Sequence, residues 1–286
     1  MAKVTPTTKK LLLGKEIAYL RGQAGMSQAQ AAALIERTQT KLTELEAGQS
    51  SITPGDLLLL LKGFGVTDQA HIDTLMELRR GSGQRGMWTG VRSMYAEQFR
   101  TMIDLEEHCD LIRTVESEVP PGLLQCERFI QALYSHVDDD RDLDARVKAR
   151  LVRQDIFYKP DPPQVAFVIS ESALRRQYAA PEVMREQINY MIKLSKLPNI
   201  RLQVLPFKTL LQATSIRDGF VLLRIPSPGV AGPLEFAYTE NQAEVRYIDD
   251  KKVVATLDGQ WARLTGASLG FEETRRFMRK VASEYS

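Results

Sequence analysis

The sequence predicts an α+β chain of two domains. An all-α, five-helix domain occupies residues 1–80, a linker 81–87, and a larger domain with helices and a small mixed β-sheet 88–286. Three observations predict it. Apolar residues recur at helical spacing, with glycine stops, from residue 10 to 80. The tract RRGSGQRG, Arg79–Gly86, then carries three glycines and no apolar residue, the composition of a linker. Alternating, β-branched runs appear only after Pro160. A length of 286 residues suits two domains, and 43% hydrophobic residues let both halves bury a core.

The first ten residues, MAKVTPTTKK, read as a flexible arm, with Thr7 or Thr8 able to cap a helix. Leu13, Ile17 and Leu20 form one apolar stripe, and Gly25 ends that helix. Ser27 opens a short Ala-rich helix. A break follows at Ile35–Arg37, and a second short helix starts near Thr38 and runs through Leu42 and Leu45 to Gly48. Thr53-Pro54-Gly55-Asp56 combines cap, first-turn proline and acid, so the leucines after it form a fourth helix, punctuated by Gly63 and Gly65. Residues 68–80 fit a fifth helix on Ile72, Leu75, Met76 and Leu78.

Trp88 opens a different composition. Residues 94–118 read as helix, with Phe99, Ile103 and Leu105 inward; Val119-Pro120-Pro121-Gly122 breaks it, and Leu123–Tyr134 resumes. Asp138–Asp140 starts a turn before a helix on Leu143, Val147 and Leu151. Strand candidates follow at Val165–Ile169, Ile200–Leu205, Phe220–Ile225, Leu234–Tyr238 and Val245–Ile248, for a mixed sheet of about four or five strands. Pro181 leads a helix through Val183–Lys196, and 251–264 and 271–284 are helical again.

Several function classes fall away. Net charge is only +2, so any contact with nucleic acid must come from a local patch. Cys109 and Cys126 are the only cysteines, which excludes a disulfide scaffold and a cysteine zinc site and suits a reducing compartment. His71, His108 and His136 lack metal-ligand spacing. No GxSxG, Walker A or GxGxxG motif is present. Asp138–Asp140 with Asp142 and Asp144 reads as a solvated acidic turn rather than a cation site. Glu171 with Arg175 and Arg176 reads as a strand-to-helix junction capped by Ser170 or Ser172 rather than a polar site. The expectation is no enzyme, no cofactor and no metal. No apolar run approaches the ~18 residues that span a membrane, so a cytoplasmic, nucleoid-associated protein is expected.

Two short helices joined by so tight a break form a helix-turn-helix, which presents the outer face of its second helix to the major groove of DNA. Leu42 and Leu45 must then face the core, which leaves Thr38, Gln39, Lys41, Thr43 and Glu44 outward and Thr40 at the margin. Lys9, Lys10, Lys15, Arg37 and Lys41 are candidates for a phosphate-contacting surface. The free N–H groups and positive dipole end at Gln28 suit a phosphate.

Leu13, Gly14, Leu20, Arg21, Gly25, Met26, Ser27, Gln28, Ala32, Leu42, Leu45, Glu46 and Gly48 make this segment resemble the XRE/Cro–repressor class of helix-turn-helix. The resemblance implies that Gln39, Thr40 and Glu44 read bases, with Lys41 beside them. Gln39 suits adenine, Thr40 a thymine methyl and Glu44 cytosine N4. It also implies that Gln28 touches phosphate and braces a reading side chain, and that Arg21 and Glu46 form a structural salt bridge; Thr38 is a phosphate-contacting candidate beside Arg37, Lys9 and Lys10. One position departs from the pattern: the turn carries Glu36 where the class has glycine, which demands either an unusual backbone or a shifted turn.

The whole chain also resembles the actinomycete WhiJ-like regulators, grouped with antitoxin-like proteins. The residues that carry this include Trp88, Phe99, Val119-Pro120-Pro121-Gly122-Leu123-Leu124-Gln125, Ala173-Leu174-Arg175-Arg176 and Val204-Leu205-Pro206-Phe207. Where that family often has His-Pro-Gly, this chain has Gln212-Ala213-Thr214. The resemblance implies a regulator that binds double-stranded operator DNA as a homodimer. Its second domain would be controlled by a ligand or by a small protein partner encoded nearby. The alternative is an antitoxin-like interaction module whose DNA binding serves autoregulation.

Overall fold

The computed structural model describes residues 7–82, 95, 97–135, 143–210, 216, 218–241 and 244–285. The expectations placed on the first six residues, the tract 83–86, Trp88, His136, Asp138–Asp140, Asp142 and Gln212–Thr214 lie outside them. The chain divides into two compact units: Met1–Thr89 together with Ile225–Leu234, and Gly90–Arg224 together with Glu235–Ser286. Among the described residues no helix is long and apolar enough to cross a membrane, and no group of three or more His, Cys, Asp or Glu side chains could hold a metal ion.

The first unit contains α1 (Thr8–Gln23), α2 (Gln28–Ala33), α3 (Gln39–Glu46), α4 (Pro54–Gly63) and α5 (Gln69–Gly81). Each begins on a side chain that accepts a backbone N–H its own helix cannot satisfy: Thr7, Ser27, Thr38, Thr53 and Asp68. Ser27 adds a reciprocal bond, its N–H donating to Gln30 Oε1 at 2.8 Å. Ile17, Leu42, Leu57, Leu60 and Leu75 are fully buried and form the heart of the unit.

Segment Ile225–Leu234, which follows β4 in the chain, also belongs to the first unit, and its link is a carboxylate. Glu16 is completely buried on α1. It accepts from Ser227 Oγ (3.0 Å), Val230 N (3.1 Å) and Ala231 N (2.8 Å), with His71 Nε2 3.7 Å away. Lys15 Nζ donates to the carbonyls of Gly232 and Pro233. Gly229 lies so close to the Glu16 carboxylate that a Cβ there would collide with it.

The second unit is built on a six-stranded mixed sheet in the order β3-β2-β1-β4-β5-β6. The strands are β1 (Leu111–Glu116), β2 (Gln164–Ser170), β3 (Ile200–Leu205), β4 (Phe220–Ile225), β5 (Leu234–Glu240) and β6 (Val245–Ile248). β1, β2 and β3 run parallel, β4 is antiparallel to β1, and β6 is antiparallel to β5. Helices α6 (Glu97–Glu106), α7 (Glu127–Tyr134), α8 (Leu143–Val152), α9 (Ser172–Arg175), α10 (Pro181–Leu194), α11 (Lys251–Ala267) and α12 (Phe271–Ser283) surround it. On one face Val115, Val168, Phe220, Leu222 and Ala237 pack with Trp261 and Leu264 of α11. Thr114, Phe167 and Val221, aligned across three strands, point the other way.

Two local expectations are corrected. The single helix over 94–118 is α6 followed by β1, which supplies the sixth strand. Leu111–Glu116 is six residues long, too short for its apolar spacing to choose between helix and strand. Hydrogen-bonded partners on both sides, β2 and β4, decide it. Neither serine caps α9: its N-cap is Glu171, with no side-chain cap bond. Ser170 Oγ instead accepts from Ser172 N at 3.2 Å, and the Glu171 carboxylate is taken by Arg175 and by Phe207 N.

The helix expected to resume at Leu123 begins only at Glu127; before it the largely buried Pro120–Cys126 segment makes one 3-10 turn, Gly122–Leu124, and three glutamines bond its backbone. Gln125 Nε2 donates to Pro120 O, Gln154 Nε2 to Gln125 O, and Gln187 bonds both Leu124 O and Cys126 N. Beside it Arg153 donates twice to Glu106, at 2.6 and 2.7 Å, with both groups buried. Burial opposes the Arg153 charge, but the Glu106 carboxylate holds it above the ordinary guanidinium range. Replacing Arg153 by Met leaves a buried carboxylate with no cation. The expected loss is about 3–5 kcal/mol, measurable by urea unfolding, with Arg153→Met plus Glu106→Leu less damaging than Arg153→Met alone.

Candidate nucleic-acid interface

The α2–α3 pair is a helix-turn-helix whose turn carries a strained residue. Helices α1 to α4 all finish with the same pair of backbone bonds. At the end of α2 these are Arg37 N to Ala32 O (3.0 Å) and Glu36 N to Ala33 O (3.2 Å). The motif needs one residue at positive φ. Gly25, Gly48 and Gly65 fill that place at the other three ends, whereas at the turn it is Glu36, with φ 53°. Of the two ways to accommodate Glu36, the chain adopts the unusual backbone.

Helix α3 is mounted from three directions. Leu42 (fully buried) and Leu45 (5% exposed) seat it in the core. Gly14 of α1 lies directly against the carbonyls of Leu45 and Glu46, with no room for a Cβ. The Glu46 carboxylate accepts from Arg21 Nε (2.5 Å), Arg21 Nη2 (3.1 Å) and Gln28 Nε2 (2.7 Å), while Arg21 Nη1 also donates to Met26 O at 2.8 Å. One acid thus ties α1 and α2 to the last turn of α3. Gln28 Oε1 accepts from Thr43 Oγ1 at 3.1 Å, fixing the middle of the helix as well.

The outer face of α3 carries Gln39, Thr40, Lys41 and Thr43, all exposed, with Glu44 half-buried at its edge. Lys41 Nζ is 3.6 Å from Glu44 Oε2. At the start of the helix Thr38 is exposed, and its oxygen caps Lys41 N at 3.2 Å. The structure gathers these side chains on one surface.

The other candidates lie elsewhere or are engaged. Both ends of the Gln28 amide are used within the protein, by Glu46 and Thr43. Arg37 faces Asp56 at 3.5 Å. Lys9 lies along Gly81, where its ammonium meets the C-terminal end of α5. Lys10 is half-buried in the first turn of α1, and Lys15 is bound to Gly232 and Pro233. Sequence reasoning missed Glu16 and the segment that surrounds it. The available signals were a carboxylate on the Leu13–Ile17–Leu20 stripe and SPGVAGP, longer than a tight hairpin needs.

Residues 12–75 match the model of a helix-turn-helix domain. Residues 99–280 match the model of a domain of unknown function, DUF5753, and the chain belongs to that family. No curated protein and no solved structure matches the chain. The helix-turn-helix domain supports a DNA-binding regulator.

The backbone at residue 36 gives a direct test. Glu36→Gly removes the steric cost of the left-handed region and is expected to stabilise the chain by up to about 1 kcal/mol. Glu36→Val, β-branched, is expected to destabilise it by at least as much. Thermal unfolding of the three proteins checks both signs.

Proposed function

We propose that this chain is a transcriptional regulator that reads double-stranded operator DNA through α3. The observation that carries the reading is a contiguous polar surface on a helix whose inner side is fixed by Leu42, Leu45 and the Arg21–Glu46–Gln28 network. Gln39 can pair bidentately with adenine, Thr40 can touch a thymine methyl, and Glu44 can accept from cytosine N4 with Lys41 beside it. Thr38 and the N–H groups at the start of α2 supply phosphate contacts. Arg37 joins them by exchanging Asp56 for a phosphate, and Lys9 and Lys10 add charge from α1. One such unit covers little DNA, so two copies acting about a two-fold axis, with recognition helices about 34 Å apart on a near-palindromic site, complete the reading. The second unit supplies control in response to a small ligand.

Gel-shift titration against a selected operator and a scrambled duplex, over a salt series, tests this. Affinity is expected to fall steeply as salt rises and to prefer the operator. Gln39→Ala should relax one base position by about 1–3 kcal/mol, whereas Lys10→Ala should weaken all duplexes alike and lower the salt slope by about 1. Affinity indifferent to both salt and sequence would end the proposal.

A further inference from the structure

The second unit contains a cavity of about 310 Å³ on the sheet face opposite α11. That volume is at the lower end for small-molecule sites. Its apolar wall comes from Phe99 and Met102 of α6, Leu123 and Leu133, and Phe167 and Val221 of the sheet. The Glu106–Arg153 pair closes one side as a neutral unit. Arg150 is held there by Gln125 Oε1 at 2.6 Å, its guanidinium 5.2 Å from the Tyr134 ring.

At the opposite charge extreme stand Glu116, at the end of β1, and Glu240, at the end of β5. Among the described residues neither has an ion-pair partner. Glu240 accepts from the Tyr238 hydroxyl. Burial, helped by the Glu240 charge, pushes the Glu116 carboxyl up to about 7. A site that places two facing carboxylates at the end of an apolar chamber is short of one positive charge. The described residues bring no third metal ligand to it, which favours an organic cation over a metal ion.

We infer that this cavity binds a small primary amine: its ammonium between Glu116 and Glu240, its aliphatic or aromatic body against Phe99, Leu133 and Phe167. Nothing in this inference depends on the reading of DNA by α3. The ammonium donates to both carboxylates and replaces their mutual repulsion with two charge-assisted hydrogen bonds. The apolar body displaces water from the wall formed by the sheet and α6.

Calorimetric titration of the full chain, without DNA, with 2-phenylethylamine and its neutral counterpart 2-phenylethanol tests the inference. The amine is expected to bind one per chain with a Kd of about 1 mM or tighter, and the alcohol at least tenfold more weakly, about the worth of one charged contact. Affinity for the amine should rise between about pH 6 and about pH 8 as Glu116 ionises. Of the other groups around Glu116, Tyr238 is held above the pH range by burial and by its bond to Glu240; the charged side chains that line the same cavity are Glu106, Arg150, Arg153 and Glu240. Glu116→Gln should weaken the amine about tenfold and leave the alcohol unchanged. Leu133→Trp, which fills the chamber and spares both carboxylates, should abolish both.

Thermal unfolding of Glu116→Gln checks that the variant folds, and it is expected to carry a signature of its own. The Glu116 carboxyl is raised in the folded chain, so its contribution is fully present at low pH and is lost as pH rises towards about 7. The Tm of Glu116→Gln relative to the unsubstituted chain should therefore increase across that window. Equal affinity for amine and alcohol, an amine affinity unmoved by Glu116→Gln, or no amine binding would each overturn the inference.

Discussion

The Glu46 carboxylate is the constraint on which the DNA-reading unit turns. A helix of eight residues has little stability alone and no fixed direction. Two leucines give α3 its depth in the core but leave it free to roll. Glu46 removes that freedom by binding Arg21 from α1 and Gln28 from α2 at once. Gly14 sets how closely α1 can approach, because any side chain there would meet the α3 carbonyls. The outer face of α3 is therefore presented at one angle, which the proposed base recognition through hydrogen bonds requires.

The second unit solves a different problem. Its Pro120–Cys126 segment, with a single 3-10 turn at Gly122–Leu124, passes through the interior, where unsatisfied peptide groups would be costly. Glutamines 125, 154 and 187 take their place in the hydrogen bonding. Amides can donate and accept without charge, so they suit this role better than acids or lysines. The neighbouring Glu106–Arg153 pair brings full charges into the same region and neutralises them with two short hydrogen bonds.

Much of this was legible in the sequence wherever the signal is local. The caps Ser27 and Thr53, the stops Gly25 and Gly48, and the inward pair Leu42 and Leu45 are all fixed by neighbours within a few residues. Glu36 announced its own irregularity, since a non-glycine at that turn must distort something. What stayed hidden depends on distant partners. Leu111–Glu116 becomes a strand because β2 and β4, more than fifty residues away, pair with it. The face-sharing of Glu116 and Glu240 likewise exists only once β1 and β5 lie in one sheet. The Gln28 side chain, expected at phosphate, bonds both Glu46 and Thr43, a pairing no spacing rule contains.

The Glu16 cradle places a demand on synthesis. A fragment stopping after α5 has every described helix of the first unit, yet holds a buried carboxylate whose three donors do not exist until Ala231 has been joined to the chain. On the ribosome the first unit is thus translated early but completed late, and α1 must wait with its acid hydrated while β1 to β4 are made. The stretch from α1 to α5 is not a detachable cassette: grafted onto another protein without SPGVAGP, it would carry a carboxylate whose clasp was left behind.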